Sequence, residues 1–305
     1  MTTPENTVPE IPVDLQMLAT RPMYWSLRRE LWENRSIYVA PLIAAGVALF
    51  GFLISTMTLP HRMRAVLALD PAKQHQAVAM PYSFVAALLI ATAFIVGVFY
   101  CLDALHGERR DRSILFWKSL PVSDRTTVLS KASIPLVVLP LLIFAIVVAT
   151  QMIMLMLSTA VLLGTGAGAA TLWTRLPLFR MSLGLLYALT AIALWHAPLY
   201  GWLLLVSGWA RRATFLWAVL PPLAVSVVER IAFNTSHVSS LLRNRLIGWF
   251  TQGFDFKSQG ADAIDPLAHL TPGKFLSSPG LWLGLAAAAI FLVAAVRLRR
   301  YREPI

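Results

Sequence analysis

Several short stretches carry residue types that could do chemistry, and each lacks a part which that chemistry requires. His106-Gly107-Glu108 has the H-x-E of a zinc deaminase, but the chain has a single cysteine, Cys101, and cannot supply the cysteine pair that completes the ligand set. Gly164-Thr165-Gly166-Ala167-Gly168-Ala169 spells G-x-G-x-x-A, yet it follows a long apolar run rather than a strand of a βαβ unit, so it reads as a turn. Pro272-Gly273-Lys274-Phe275 has neither the upstream glycine nor the Ser/Thr of a phosphate-binding loop. His196 stands alone in an apolar run and reads as a hydrogen-bonded packing residue. No pair of carboxylates, no nucleophile with a base and no ligand cluster offers a catalytic constellation, so a non-enzymatic chain without metal or cofactor is expected.

The elements that hold these residues are set by an apolar solvent. Of the 305 residues 57% are hydrophobic and only 13% charged, and the mean hydropathy is +0.66; soluble domains carry about 25% charged residues. The expectation is an all-α polytopic membrane protein. Six apolar runs are long enough to cross about 30 Å of hydrocarbon: Ile37 to Leu59, Tyr82 to Leu105, Ala132 to Leu163, Met181 to Ala210, Ala213 to Phe233 and Leu281 to Leu298. The third is over-long and either tilts or continues as a helix beyond the bilayer. Only Arg211-Arg212 separates the fourth from the fifth. Residues 1–36 lack the short apolar core of a cleavable signal, so the first span is expected to act as an uncleaved anchor. The chain thus divides into a tail with an amphipathic helix (1–36) and a six-span domain (37–305).

The net charge of +11 concentrates at the ends of these runs, which points to membrane orientation rather than nucleic acid. With the N-terminus inside, the inner segments hold sixteen of the 26 Lys/Arg, so both termini are expected in the cytoplasm. Before the first span, Tyr24, Trp25, Leu27, Leu31 and Trp32 share one helical face, and Arg29, Glu30, Glu33 and Asn34 the other. This predicts an interfacial helix whose Arg28 and Arg35 snorkel, with packing against another part of the protein as the alternative. In the long outer segment 234–280, Leu242, Leu246, Trp249, Phe250 and Gly253 recur at helical spacing and predict a helix lying in the interface or dipping into it. Pro221-Pro222 predicts a kink in the fifth span, and Glu229-Arg230 either marks the outer boundary of that span, the favoured reading, or lines a pathway.

The loop 106–131 between the second and third spans is unlike an ordinary connection. Gly107 to Lys131 holds six Lys/Arg and three Asp/Glu around Ile114-Leu115-Phe116-Trp117. Ser113 to Leu120, stopped by Pro121, allows about two turns of helix, too short to stand alone in water. Phe116 and Trp117 are rigid anchors, Arg109, Arg110, Arg112 and Lys118 a charged rim, and Ser123-Asp124 suits the start of the next helix. A lipid-interface role for the aromatic pair is the competing reading.

Glu108-Arg109, the Ser113–Leu120 core, Leu120-Pro121-Val122-Ser123 and Lys131 resemble the coupling-helix region of ABC-2 type transporter permeases, and the layout resembles that family along nearly the whole chain. The resemblance implies the membrane-spanning subunit of an ATP-driven exporter in a bacterial inner membrane. Such a subunit pairs with a second permease copy, expected as a homodimer, and with two copies of a soluble ABC ATPase that binds the ATP. It further implies that Glu108, Arg109, Arg110, Arg112, Ile114, Leu115, Phe116, Trp117, Lys118, Leu120 and Pro121 form the ATPase-coupling interface. The segment Leu241 to Phe256, with Trp249 and Phe250, would by this resemblance form re-entrant helices at an outer gate; the residues themselves add Pro221, Pro222, Glu229 and Arg230 as further candidates for a pathway or gate. The alternative is a membrane scaffold or sensor whose cytoplasmic loop binds a non-ATPase partner.

Overall fold

The protein is an all-α polytopic membrane protein. The computed structural model describes residues 22–301 apart from 112, 114–121, 166–171, 174–175 and 255–269. A first helix, α1 (Pro22–Glu33), precedes α2 (Ser36–Thr56), the short α3 (Leu59–Leu67) and the long α4 (Pro71–Ala104), which is followed by α5 (His106–Arg110). Then come α6 (Asp124–Ser133), a π-helical turn (Ile134–Val138), α7 (Leu139–Thr165), α8 (Leu178–Trp209) and α9 (Thr214–Phe233). The chain continues with α10 (His237–Gly253), α11 (Pro272–Leu276) and α12 (Pro279–Tyr301). Six of the described helical segments are long and apolar enough to span a membrane: Ser36–Thr56, Lys73–Arg110, Asp124–Gly164, Leu178–Trp209, Thr214–Phe233 and Pro279–Tyr301.

Two boundaries differ from the sequence expectation for physical reasons. The second span begins at Pro71 rather than Tyr82, because Pro71 sits at the first helical position with Asp70 extended before it. Lys73 to Gln76, too polar for a hydropathy window, are still good helix formers, and a helix need not stop where the bilayer does. The third run is one continuous helical stretch over Asp124–Gly164, 41 residues or about 60 Å at 1.5 Å per residue, so it continues well past the hydrocarbon. Its π turn contains Pro135 and is followed by Pro140, and the missing N–H groups of the two prolines interrupt the regular ladder.

α8 is the centre of the bundle. It packs along α12 and also meets α4, α7 and α10, while α2 lies against α4 and α7. Helices in lipid associate through close packing of small residues. Gly201 illustrates this: a Cβ there would stand 3.3 Å from the Ala288 carbonyl oxygen and from the Phe291 Cβ. Gly97 likewise faces the Tyr200 ring at 3.2 Å. The core holds Tyr82, Leu89, Ile143, Val147, Met154, Leu155 and Leu204, whereas Phe50, Phe84, Ile95, Val228 and Ile290 point outward, as a lipid-facing surface requires.

The connection from α8 to α9 is a tight turn, with Ala213 left-handed at φ 51°. α9 lies at the periphery, exposed along nearly its whole length. Its prolines do not end it: the helix runs through Pro221 and Pro222. The Ala218 carbonyl, deprived of its usual partner by Pro222, accepts a hydrogen bond from Trp202 Nε1 at 3.0 Å.

Candidate functional site: a buried charge network under the 106–131 loop

The ends of α2, α4, α8 and α12 that lie nearest α1 come together around a cluster of ionised side chains. The Glu30 carboxylate, fully buried, accepts from Arg29 Nη2 (2.7 Å), Lys131 Nζ (2.8 Å) and Tyr100 Oη (2.8 Å). Glu108 shares two of those donors, with Arg29 Nη2 at 3.0 Å and Lys131 Nζ at 3.2 Å on its Oε1, and meets Arg299 Nη2 at 3.1 Å on its Oε2. Arg299 also bonds Asp124. Among the described residues, three buried or partly buried acids (Glu30, Glu108, Asp124) thus face three bases (Arg29, Lys131, Arg299), with the more exposed Glu33 at the edge on Arg29.

Neutrality is what allows these groups to be buried at all, because an uncompensated charge in such a place costs several kcal/mol. Burial alone would raise the Glu30 carboxyl, but the Lys131 ammonium and the Arg29 guanidinium outweigh it and hold the group below the ordinary carboxylate range. For Arg29 burial acts downward, and Glu30 and Glu108 more than offset it, so its pKa is raised. Glu33, at the edge of the cluster 3.7 Å from Arg29 Nε, is shifted upward by burial.

The network ties together parts of the chain that are far apart in sequence. Glu30 comes from α1, Glu108 from the entry of the 106–131 loop, Asp124 and Lys131 from its exit, and Arg299 from the last turns of α12. Around it, neutral groups complete the joint. The Ser207 hydroxyl accepts from the backbone N–H of Leu105 (3.0 Å) and of His106 (2.9 Å), where α4 gives way to α5. Arg109 Nη1 donates to the Gly208 and Ala210 carbonyls at 2.9 and 3.3 Å and closes the C-terminus of α8. Ser123 caps α6 by accepting from Thr126 N at 3.1 Å, as its position suggested.

The structure redistributes the sequence candidates. Glu108 and Arg109 are buried, 8% and 5% exposed, so they lie beneath the surface rather than on a charged rim. Arg110 is exposed and pairs with Asp111 at 3.0 Å. Arg112, Ile114, Leu115, Phe116, Trp117, Lys118, Leu120 and Pro121 lie outside the described residues. The polar face of α1 is turned partly inward, with Glu30 in the network and Glu33 exposed at its edge, while Trp25 and Trp32 are exposed and the Arg28 guanidinium stacks on them, 5.4 and 4.6 Å from their ring centres. Amphipathic spacing identified both faces, but the pairing of Arg29 with Glu108 and of Glu30 with Lys131, 79 and 101 positions later, leaves no trace in a helical repeat.

Away from the network, α10 packs against α8 through its Gly248 side and is otherwise largely exposed. Trp195 Nε1 donates to the Asn244 carbonyl at 3.0 Å, and Trp195 lies fourteen residues from the end of α8, about 21 Å along it. The His196 ring nitrogens lie 2.8 Å from the Ile192 carbonyl and 3.3 Å from that of Leu246, so the histidine packs α10 against α8. Arg245 stacks over Trp195, 4.9 Å from the ring centre, and donates to the Gly280 carbonyl. Gly284 makes room for it, since a Cβ there would stand 2.5 Å from Arg245 Nη1. Glu229 ends α9 and accepts from Thr235 Oγ1, His237 N and Val238 N, capping the start of α10; Arg230 is exposed. Trp249 and Phe250 form an edge-to-face pair, joined by Phe254. Among the described residues no group of His, Cys, Asp and Glu could hold a metal ion.

The fold and these sites define a multi-pass α-helical membrane protein with a charge cluster at one end and the helix α10 packed against α8 toward the other. No protein-family model matches the chain, and no curated protein or solved structure does.

Proposed function

We propose that this chain is the membrane-spanning permease of an ATP-driven ABC-2 type exporter in a bacterial inner membrane. Both termini and the 106–131 loop lie in the cytoplasm, and two such permeases assemble with two copies of a soluble ABC ATPase that binds and hydrolyses the ATP. The observation that carries the reading is the charge network. A loop that docks on a motor is useful only if its displacement reaches the spans, and here both stems of the loop are locked by buried ion pairs to α1 and α12. Phe116 and Trp117 are the docking anchors, whereas Glu108 and Arg109 transmit rather than touch. The α10 helix, with Trp249 and Phe250, is the outer gate element.

The test is purification of the tagged protein from native membranes in mild detergent, followed by mass spectrometry. A stoichiometric ABC ATPase is expected. An intact, oligomeric protein without one overturns the reading in favour of a scaffold or sensor.

A further inference from the structure

At the end of the bundle away from the charge network, α4 and α8 run side by side and leave a cleft of about 750 Å³ between them. One wall is a stripe of α4 at helical spacing, Lys73, Gln76, Met80, Ser83, Ala87 and Ile90. The facing wall is a stripe of α8, Met181, Gly184, Leu185 and Ala188. Ala87, Gly184 and Ala188 have little or no side chain and leave the space between the two stripes unfilled. Gln151 of α7 contributes a third side and donates to the Tyr82 carbonyl at 3.2 Å, while Phe254 and Leu270, paired by a backbone bridge, close over the cleft.

The cleft has a direction. Its outer end holds Lys73, His75 and Gln76, which belong to the part of α4 that precedes the apolar run, and everything from Ala86 to Ile90 is apolar. Lys73 contacts Asp70 at 3.6 Å, but both side chains are strongly exposed (69% and 78%), and such a surface pair is held by little more than about 0–1 kcal/mol. The ammonium is therefore free to take another anion. From Lys73 to Ile90 the wall is about 25 Å long at 1.5 Å per residue, whereas one leaflet of hydrocarbon is about 15 Å thick. The cleft has the length of one acyl chain plus a head group, and its volume lies in the range of small-molecule sites.

We infer that this cleft binds an anionic amphiphile, with its head group among Lys73, His75 and Gln76 and its hydrocarbon chain between the 83–90 stripe of α4 and the 181–188 stripe of α8. The inference names a substrate class for the exporter, but binding is a property of this chain alone and needs no ATPase. It therefore stands or falls separately from the proposed function.

Native mass spectrometry of the purified protein in a neutral detergent, titrated with dodecyl phosphate and, as the zwitterionic control, dodecyl phosphocholine, tests it. The expected result is a discrete one-to-one adduct with dodecyl phosphate, formed at least tenfold more readily than with the control. Ala87→Trp, which fills the cleft, should abolish the adduct, and Lys73→Gln, at an exposed position that does not affect folding, should reduce the preference for phosphate severalfold. Equal adduct formation by wild type and Ala87→Trp, or a phosphate preference unchanged in Lys73→Gln, overturns the assignment. An ATPase absent from the native complex, with these adducts present, would refute the exporter reading and leave the site intact.

Discussion

Lys131→Met is the most informative perturbation of the charge network. It removes the ammonium from Glu30 (2.8 Å) and Glu108 (3.2 Å) while keeping the length of the side chain. Arg29 still reaches both carboxylates, at 2.7 and 3.0 Å, but the cluster is left with three acids against two bases in a place where Glu30 is fully buried. Breaking a buried pair from one side costs about 3–5 kcal/mol, most of it the penalty of the stranded partner. At about 2–4 °C per kcal/mol for a chain of this order of size, the melting temperature should fall by roughly 6–20 °C. Adding Glu30→Gln to Lys131→Met restores the charge balance, so the double variant should recover most of that loss. Thermal unfolding of the purified variants in one detergent, followed by tryptophan fluorescence, reads both effects. A Lys131→Met protein as stable as wild type, or a double variant no better than the single one, would refute the reasoning that the network is held together by charge compensation.

Two further outcomes follow from the same contacts. Because the folded Glu30 carboxyl lies below its unfolded value of about 4.3, its contribution is present above that pH and lost as pH falls through the lower folded value; wild type should therefore lose stability below about pH 4.5 more steeply than Glu30→Gln, as pH-dependent unfolding would record. Gly284→Ala places a Cβ 2.5 Å from Arg245 Nη1, which must leave Trp195 and the Gly280 carbonyl; amide exchange over His237–Gly253 should rise at least tenfold, whereas Gly273→Ala, with nothing within 4 Å, should leave it unchanged.

The sequence carries the fold class and the six spans openly, since apolar runs of membrane length have few other uses. Helix α10 was also legible, because Leu242, Leu246, Trp249 and Phe250 recur at helical spacing. The start of α4 was not: a helix that leaves the bilayer changes composition without changing conformation, whereas Ser123-Asp124 did mark the start of α6. The site was legible only in part. Glu108, Arg109 and Lys131 stood out as charges beside apolar runs, but Glu30, Tyr100, Ser207 and Arg299 did not, because their partners lie from 70 to 191 residues away. The signal that could have found them is the balance of charge at the membrane boundary. Every acid buried there must meet a base: Glu30 meets its neighbour Arg29 and Lys131 from another helix, and Glu108 meets Arg29, Lys131 and Arg299, all from other helices.

The central claim is that the 106–131 loop docks this chain onto an ABC ATPase and the charge network passes its movement to the spans. The most direct measurement compares affinity purification of wild type and Phe116→Ala/Trp117→Ala from native membranes. The account predicts an ABC ATPase in stoichiometric amount with wild type and its loss from the double variant, which remains inserted and melts at the wild-type temperature. An ATPase retained in full by the double variant, or absent from the wild type, would contradict it.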